Sequence, residues 1–233
     1  GSCKITDLWV YVNGQFQGAY PTGNLIPIIS NNEPVRINIF GGIKNNGISN
    51  TRLSYIFYDF ITIDTLVGDH LTINRPLTFH YNPNTKFEWV EGFDGNGVSL
   101  IKSSNSDTTW KPALPIDCFE GNSAEMGLGA GASKIMVESS APLTIPLNNP
   151  NVYLELNYKS NQVFEVGILN GGIQKPALFV NASDTWNKIY ISMAETVNQA
   201  PYNTTQKVYI KMSRKADNQN PKMFLDNIKL VHF

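Results

Sequence analysis

Charged residues are scarce in this chain, and neither sign dominates. Asp, Glu, Lys and Arg make up 16% of the 233 residues, and the formal net charge is −1, whereas globular proteins average about a quarter charged residues. The 18 Lys and Arg residues are scattered along the chain. Because binding to phosphate backbones needs clustered basic side chains, the composition predicts a protein that does not bind nucleic acid.

Long apolar runs and catalytic motifs are missing as well. No stretch of 18 apolar residues occurs, so the sequence predicts no membrane-spanning helix. The three histidines, His70, His80 and His232, have no metal-ligand spacing, and HExxH, GxSxG and phosphate-binding-loop patterns do not occur. We therefore expect a protein that is not an enzyme.

Cysteine is also rare, and the position of the first one is informative. Cys3 follows a Gly-Ser pair typical of a cloning remnant, so the native chain is expected to start with CKITD. A bacterial lipoprotein starts in this way, with its cysteine acylated; the alternative is an ordinary thiol in a frayed segment. The second cysteine, Cys118, is expected to be buried and inert.

Strand patterns separated by turns run through the whole chain, which predicts an all-β protein. DLWVYVNGQFQGAY alternates and turns on Asn13-Gly14, the strongest short-range signal of a hairpin. The Asn- and Pro-rich HYNPNTKFE predicts a domain boundary near residue 84. Residues 3–84 are expected to form a small Ig- or transthyretin-like β-sandwich, and residues 85–233 a jelly roll.

Asp226 lies in the last strand pattern, MFLDNIKLVH, on the same predicted face as Phe224, Ile228 and Leu230. A carboxylate removed from water needs a partner. The first and last strands of a jelly roll lie close together, which would bring Glu91 and Asp94 of VEGFDGNG towards Asp226. Two interpretations stay open: these oxygens bind a structural calcium ion, or backbone amides hold Asp226.

Short motifs in the second half resemble a known family. FDG with Trp110, EGNSAEMGL and the terminal FLDNIKL are similar to the carbohydrate-binding modules of the calcium-tied jelly-roll type, over roughly residues 88 to 233. Asp94 stands where that family has Glu, so either Glu91 or Asp94 takes the metal-ligand role that the resemblance implies. The calcium ligands expected from it are Asp226, Asp94 and Glu91.

The whole chain resembles two-domain surface lipoproteins of Bacteroidetes-type gut bacteria. The segments that carry this resemblance are, in order, WVYVNGQFQGAY, GGIKNNGIS, YLELNYKS and WNKIYIS. The resemblance implies acylation at Cys3 and a location at the outer membrane, lipid-anchored and facing the surface or the periplasm.

A row of polar and aromatic side chains is the candidate ligand site. In VYLELNY, Tyr153, Glu155 and Asn157 alternate with apolar residues and are expected to face outward. An aromatic ring beside hydrogen-bonding groups suits a sugar; the alternative is an ordinary solvated strand. Tyr202, in the loop QAPYNTT, is a second candidate. Trp110 and Trp186 are assigned to the core.

One enzymatic alternative depends on strand register. If the strands VYLELNY and QVFEVGIL formed a hairpin, Glu155 and Glu165 would oppose each other at about 5 Å, the spacing of the carboxylates in retaining glycosidases. The favoured interpretation is nevertheless a non-catalytic surface lipoprotein that binds glycan through its jelly roll. A structural or adhesive module with protein partners is the alternative, and glycoside hydrolysis is the last.

Overall fold

The computed structural model describes residues 3–28, 34–63, 76–199, 205–218 and 220–233, with the side chains of residues 60–63 left out. The chain divides into two compact units, Cys3–Thr85 and Lys86–Phe233, where the sequence predicts a boundary between residues 84 and 85. Both units are built almost entirely of antiparallel strands, so the all-β prediction is confirmed. No helix among these residues is long and apolar enough to span a membrane.

The described residues of the N-terminal unit form a five-stranded antiparallel sheet in the order β2-β1-β3-β4-β5. Its strands are β1 Asp7–Val12, β2 Gln15–Pro21, β3 Val35–Lys44, β4 Arg52–Ile63 and β5 His80–Tyr81. The predicted hairpin is present: Val12 pairs with Gln15, and Asn13 and Gly14 both have positive φ, 50° and 82°, as a tight hairpin turn requires. Alternate residues of β1 and β3 form the core of this unit: Leu8, Val10, Val12, Val35, Ile37 and Ile39.

The C-terminal unit contains eleven strands, one α-helix and one 3-10 turn among its described residues. They are β6 Lys86–Glu91, β7 Leu100–Lys102, β8 Lys111–Pro112, the 3-10 turn Pro115–Asp117, β9 Ala124–Gly127, β10 Lys134–Ser139, β11 Val152–Ser160, β12 Phe164–Asn170, β13 Ile173–Val180, β14 Ser183–Ser192, α1 Ala194–Asn198, β15 Gln206–Ser213 and β16 Lys222–His232.

These strands form two sheets that face each other across one core. Sheet one has the order β14-β11-β16-β9-β8, with β6 also paired to β16; sheet two has the order β13-β12-β15-β10-β7. Inward residues of both sheets share a single apolar cluster, for example Leu154 and Leu230 from sheet one with Phe164 and Ile210 from sheet two. This arrangement is a β-sandwich in which the first strand, β6, pairs with the last, β16.

The pairing of β11 removes the hairpin on which the glycosidase hypothesis depends. Strand β11 lies between β14 and β16 in sheet one, whereas β12 lies between β13 and β15 in sheet two. Glu155 pairs with Lys188 and Glu165 with Lys211, so the predicted opposition of Glu155 and Glu165 is wrong. Both segments are strands, as the alternation predicts, but β11 and β12 pair with other strands and not with each other.

Candidate functional site

The corner around Asp226 holds a buried carboxylate in a cradle of hydrogen-bond donors. Asp226 Oδ2 accepts hydrogen bonds from the backbone N–H of Glu120 (3.2 Å) and the hydroxyl of Ser123 (2.9 Å), and Oδ1 accepts one from the N–H of Asn227 (2.6 Å). Burial raises the pKa of Asp226; these hydrogen bonds oppose the rise, and the nearby charge of Asp94 adds to it.

The predicted face of Asp226 is wrong, although the predicted burial is found. A β-bulge places the two residues Asn227 and Ile228 opposite the single residue between Glu155 and Asn157, and Asn227 has a φ of 48°. Because the extra residue reverses the alternation, Met223 and Leu225 precede the bulge on the core side, and Ile228 and Leu230 follow it there. Asp226 is therefore out of phase with the core residues on both sides of it.

The three acidic residues predicted to bind calcium do not converge on one point. Asp94 does approach the Asp226 corner, because its Oδ1 accepts hydrogen bonds from the backbone and side chain of Asn122 (2.8 and 3.0 Å). Glu91 instead closes its own loop by accepting hydrogen bonds from Phe93 and Ser99.

Among the described residues, no group of three acidic, histidine or cysteine side chains could hold a metal ion. Calcium favours six to eight oxygen ligands, and of the three predicted ligands only Asp226 and Asp94 lie at this corner. The amide and hydroxyl donors account for Asp226 without a metal. Calcium at this corner therefore stays a prediction from the sequence.

The predicted ligand row of β11 is buried. Tyr153, Glu155 and Asn157 all have exposures of 5% or less. Tyr153 stacks on Phe233 with ring centroids 6.3 Å apart, and burial raises its pKa. Glu155 Oε2 lies 3.2 Å from the ammonium group of Lys188. These residues alternate with the core residues Leu154 and Leu156 as expected, but they are closed to solvent. Tyr202, the other predicted ligand residue, lies outside the described residues.

The same outward face is open farther along β11. Lys159 continues the alternation of the predicted row, and its register partner on β16 is Phe224, which pairs in turn with Glu125 on β9; Glu125 pairs with Lys111 on β8. Trp186 on β14 stands at the other end, with its ring 6.4 Å from that of Phe224. We call these five residues, Trp186, Lys159, Phe224, Glu125 and Lys111, the transverse row.

The transverse row crosses the five strands β14, β11, β16, β9 and β8 with two aromatic rings, one carboxylate and two lysines. Lys111 is exposed and Trp186 and Lys159 are partly exposed, whereas Phe224 and Glu125 are only 4% and 5% exposed. With strands about 4.8 Å apart, it extends for about 19 Å. The Lys159 ammonium lies 4.9 Å from the centre of the Phe224 ring, and Lys222 lies 5.7 Å from it. The Glu125 carboxylate forms ion pairs with the ammonium groups of Lys111 (3.4 Å) and Lys222 (3.1 Å). These contacts fix the rings and charges in one line across the sheet.

A loop before β9 forms one wall of the transverse row. Phe119 packs on Trp186 with centroids 5.4 Å apart, and Asp117 pairs with Lys159 at 3.2 Å. The N–H of Phe119 donates to the hydroxyl of Ser123, which donates to Asp226. The Asp226 corner therefore holds the loop that carries the aromatic wall.

Sequence reasoning missed this row, although two signals for it were present. Lys159 is the next outward residue after Tyr153, Glu155 and Asn157. Trp186 is out of phase with the core residues Ile189 and Ile191 of its own strand, so alternation alone places it outside. Its assignment to the core is wrong, whereas Trp110 does pack against the core. Both cysteines are free; Cys3 is exposed and Cys118 is partly exposed, not buried.

No protein-family model matches the chain, and no curated protein matches it in sequence. Among solved structures, the chain is similar over about two thirds of its length to carbohydrate-binding modules. A family 29 module in complex with mannohexaose is 8% identical, with a TM-score of 0.42 over 64% of this chain and 92% of that one. The family 11 module of a cellulosomal cellulase of Clostridium thermocellum is 13% identical, with a TM-score of 0.39 over 62% and 95%. These values describe a likeness of fold and bear on neither site nor ligand.

Proposed function

We propose that the C-terminal unit is a non-catalytic module that binds glycan along the transverse row. The observation that carries the proposal is the line of Trp186, Lys159, Phe224, Glu125 and Lys111 across the outer face of sheet one. The apolar faces of sugar rings stack on aromatic side chains, and sugar hydroxyls take charged or amide partners beside them. In the row, Trp186 is the partly exposed ring and Lys159 and Lys111 are the accessible polar groups, whereas Phe224 is 4% exposed beneath the ammonium groups of Lys159 and Lys222.

The row supports binding better than catalysis. Glu125 of the row and Asp117 of the wall beside it are each paired with lysines, and the Glu155–Glu165 pair of the glycosidase hypothesis does not form. Shallow stacking with peripheral hydrogen bonds gives weak affinity at a single site, which multivalent display on a surface would raise. We therefore expect binding without the release of new reducing ends when the protein is incubated with polysaccharide.

Trp186 provides the direct test. The full chain is screened on a glycan array, and the best oligosaccharide is then titrated calorimetrically against the Trp186→Ala variant. Removing a stacked ring is expected to weaken binding by about tenfold. Phe179→Ala is the matched control, because Phe179 is an aromatic residue of sheet two with 62% exposure, and its loss should leave binding unchanged. Unaltered affinity in a folded Trp186→Ala protein contradicts the proposal.

A protein partner is the second candidate, and one surface feature favours it. Leu114 and Ile116, in the loop beside the transverse row, have exposures of 62% and 91%. Exposed apolar side chains next to each other often mark protein contacts. Silence across the glycan array, together with capture of a partner that Ile116→Asp abolishes, would favour the adhesive function.

We further propose that the protein is held at the outer membrane by acylation of Cys3. The residue is exposed in the N-terminal unit, as attachment of an acyl chain requires. Mass spectrometry of the protein isolated from its native membrane tests this directly. An unmodified Cys3 thiol in that material contradicts the proposal.

A further inference from the structure

A cleft of about 450 Å³ lies at the Lys111 end of the transverse row. Its lining includes Thr109, Trp110, Lys111, Glu125, Asn220 and Lys222. Lys222 belongs to both features, because its ammonium lies 5.7 Å from the Phe224 ring and 3.1 Å from Glu125. The cleft is therefore continuous with the Lys111 end of the transverse row, with which it shares Lys111 and Glu125.

The described lining of the cleft carries an excess of positive charge. Lys111 and Lys222 share the single carboxylate of Glu125. The side chain of Glu125 is only 6% exposed, whereas those of Lys111 and Lys222 are 68% and 47% exposed. An ammonium group has three hydrogen-bond donors, and the contact with Glu125 takes one from each lysine. The cleft thus combines one net positive charge with donors that face solvent.

A third cation lies behind the wall of the cleft. The guanidinium group of Arg214 donates to the carbonyl groups of Leu128 and Gly129, at 2.7 Å each, and to that of Ala132 at 3.0 Å. Leu128 and Gly129 themselves line the cleft. Arg214 therefore fixes the shape of this wall and adds to the positive potential at its surface.

We propose that this cleft receives an acidic substituent of a glycan, a uronate carboxylate or a sulfate ester, and so directs the transverse row towards anionic polysaccharides. The proposal rests on the row being a glycan site. The anion would take hydrogen bonds from Lys111 and Lys222, both already positioned by Glu125. The excess charge does not raise the affinity for neutral sugars. The cleft therefore determines selectivity, while Trp186 supplies stacking.

Oligogalacturonides and their methyl esters give a matched pair of probes, because esterification removes the charge and keeps the backbone. In calorimetric titrations of the full chain, the acid form is expected to bind about tenfold more tightly than the ester. The preference should decrease as salt is added, since the lysines are exposed. Sulfated galactan oligosaccharides and their desulfated forms distinguish the two anions: a preference in both pairs indicates charge, and a preference in the first alone indicates a uronate site.

The lysines of the cleft are tested singly. Lys111→Gln and Lys222→Gln should each lower the ratio of acid to ester affinity several-fold, and Glu125 keeps one partner in either variant. Lys102→Gln removes an exposed lysine of sheet two and should leave the ratio unchanged. A wild-type ratio near one, or a ratio that neither variant alters, overturns the inference.

The outcome for the stacking site is separable. Trp186→Ala should weaken the binding of the acid and ester oligosaccharides by the same factor and leave the ratio of their affinities unchanged. If wild-type protein binds both forms equally and Trp186→Ala still weakens both, the acidic selectivity is refuted and the stacking site is not. Titration with methyl glucuronide, monitored at the backbone amides of Gly127 and Gly129, probes the cleft without the row. Shifts with the glucuronide that are absent with methyl glucoside support the inference; no binding in any titration refutes it together with the proposed function.

Discussion

Two ends of one sheet face carry the same kinds of residue and differ in exposure. The closed end has Tyr153, Glu155, Asn157 and Lys188, and the transverse row at the open end likewise combines aromatic rings, a carboxylate and lysines. The side chain of Glu155 is fully buried against Lys188. At the open end Phe224 and Glu125 are buried as well, but Lys111 and Lys222 beside them are about half exposed or more. Composition alone does not tell a binding site from a structural network.

Burial changes what the same ion pair contributes. A carboxylate withdrawn from water depends on its partner, and removing one member of a buried pair costs about 3–5 kcal/mol of folding free energy. An exposed pair contributes about 0–1 kcal/mol. We therefore expect substitutions at the closed end to reduce stability and substitutions at the open end to reduce ligand affinity.

The largest expected effect is on Glu155. Glu155→Gln removes the carboxylate that pairs with the buried ammonium of Lys188, and the free energy of unfolding should fall by about 3 kcal/mol in urea titrations. Glu138→Gln is the control: Glu138 pairs with Lys207 at 3.0 Å on sheet two, and both side chains are partly exposed, so the loss should be under about 1 kcal/mol.

Loss of glycan affinity in Glu155→Gln would contradict the distinction between the closed and open ends. If Glu155→Gln lost glycan affinity with unchanged stability, the closed end would be a ligand site as the sequence predicted. Lys188→Met combined with Glu155→Gln should recover part of the lost stability, because neither buried charge then remains.

The second largest effect on stability is expected at Asp226, which is linked through Ser123 to the loop beside the transverse row. Asp226→Ala removes the acceptor for three hydrogen bonds, and the free energy of unfolding should fall by about 1–3 kcal/mol. Glycan affinity should fall as well, because Ser123 connects Asp226 to the loop that carries Phe119. A chelator distinguishes the two interpretations of this corner: an unchanged wild-type melting temperature indicates that the hydrogen bonds alone hold Asp226, and a decrease that calcium reverses supports the predicted calcium ion.

The pKa of Asp226 gives this prediction a pH dependence. Burial raises the pKa in the folded state, with a further contribution from Asp94, so folding favours the protonated acid. This contribution to stability is complete below the ordinary aspartate pKa of about 3.9 and is lost as pH rises through the folded-state pKa. The stability of the wild type relative to Asp226→Asn should therefore decline as pH rises from about 3.5. A difference that increases over this range contradicts the assignment.

The fold class could be predicted from the sequence because its signals are local. Alternation marked the strands, and Asn13-Gly14 marked the first hairpin, where both residues take the positive φ that the turn requires. The outward phase of Tyr153, Glu155 and Asn157 was predicted correctly for the same reason. Each of these features depends on residues within one strand or one turn.

The site was missed because it depends on contacts distant in sequence. Lys159, Phe224, Glu125 and Lys111 meet only through the pairing of β11 with β16, β16 with β9 and β9 with β8. The bulge at Asn227 reversed the phase beyond Asp226, which no alternation pattern reveals. Burial of an outward strand face is likewise a property of the folded chain. Alternation therefore predicts an exposed Tyr153, which is buried, and Trp186, assigned to the core, is partly exposed.

The smallest effect is expected at Lys159, where the comparison is sharpest. Lys159 follows the closed row on the same strand, yet its side chain is 31% exposed, and it contacts Asp117 and the Phe224 ring. Lys159→Gln should therefore lower glycan affinity by about two- to fivefold, with a stability change under about 1 kcal/mol. Calorimetry and urea titration of the same samples measure both quantities, and Lys86→Gln, at an exposed position of β6, should alter neither. If Lys159→Gln instead destabilised the protein as much as Glu155→Gln, the boundary between the closed and open ends would lie beyond Lys159, and the open end would be limited to the exposed Lys111 and Lys222.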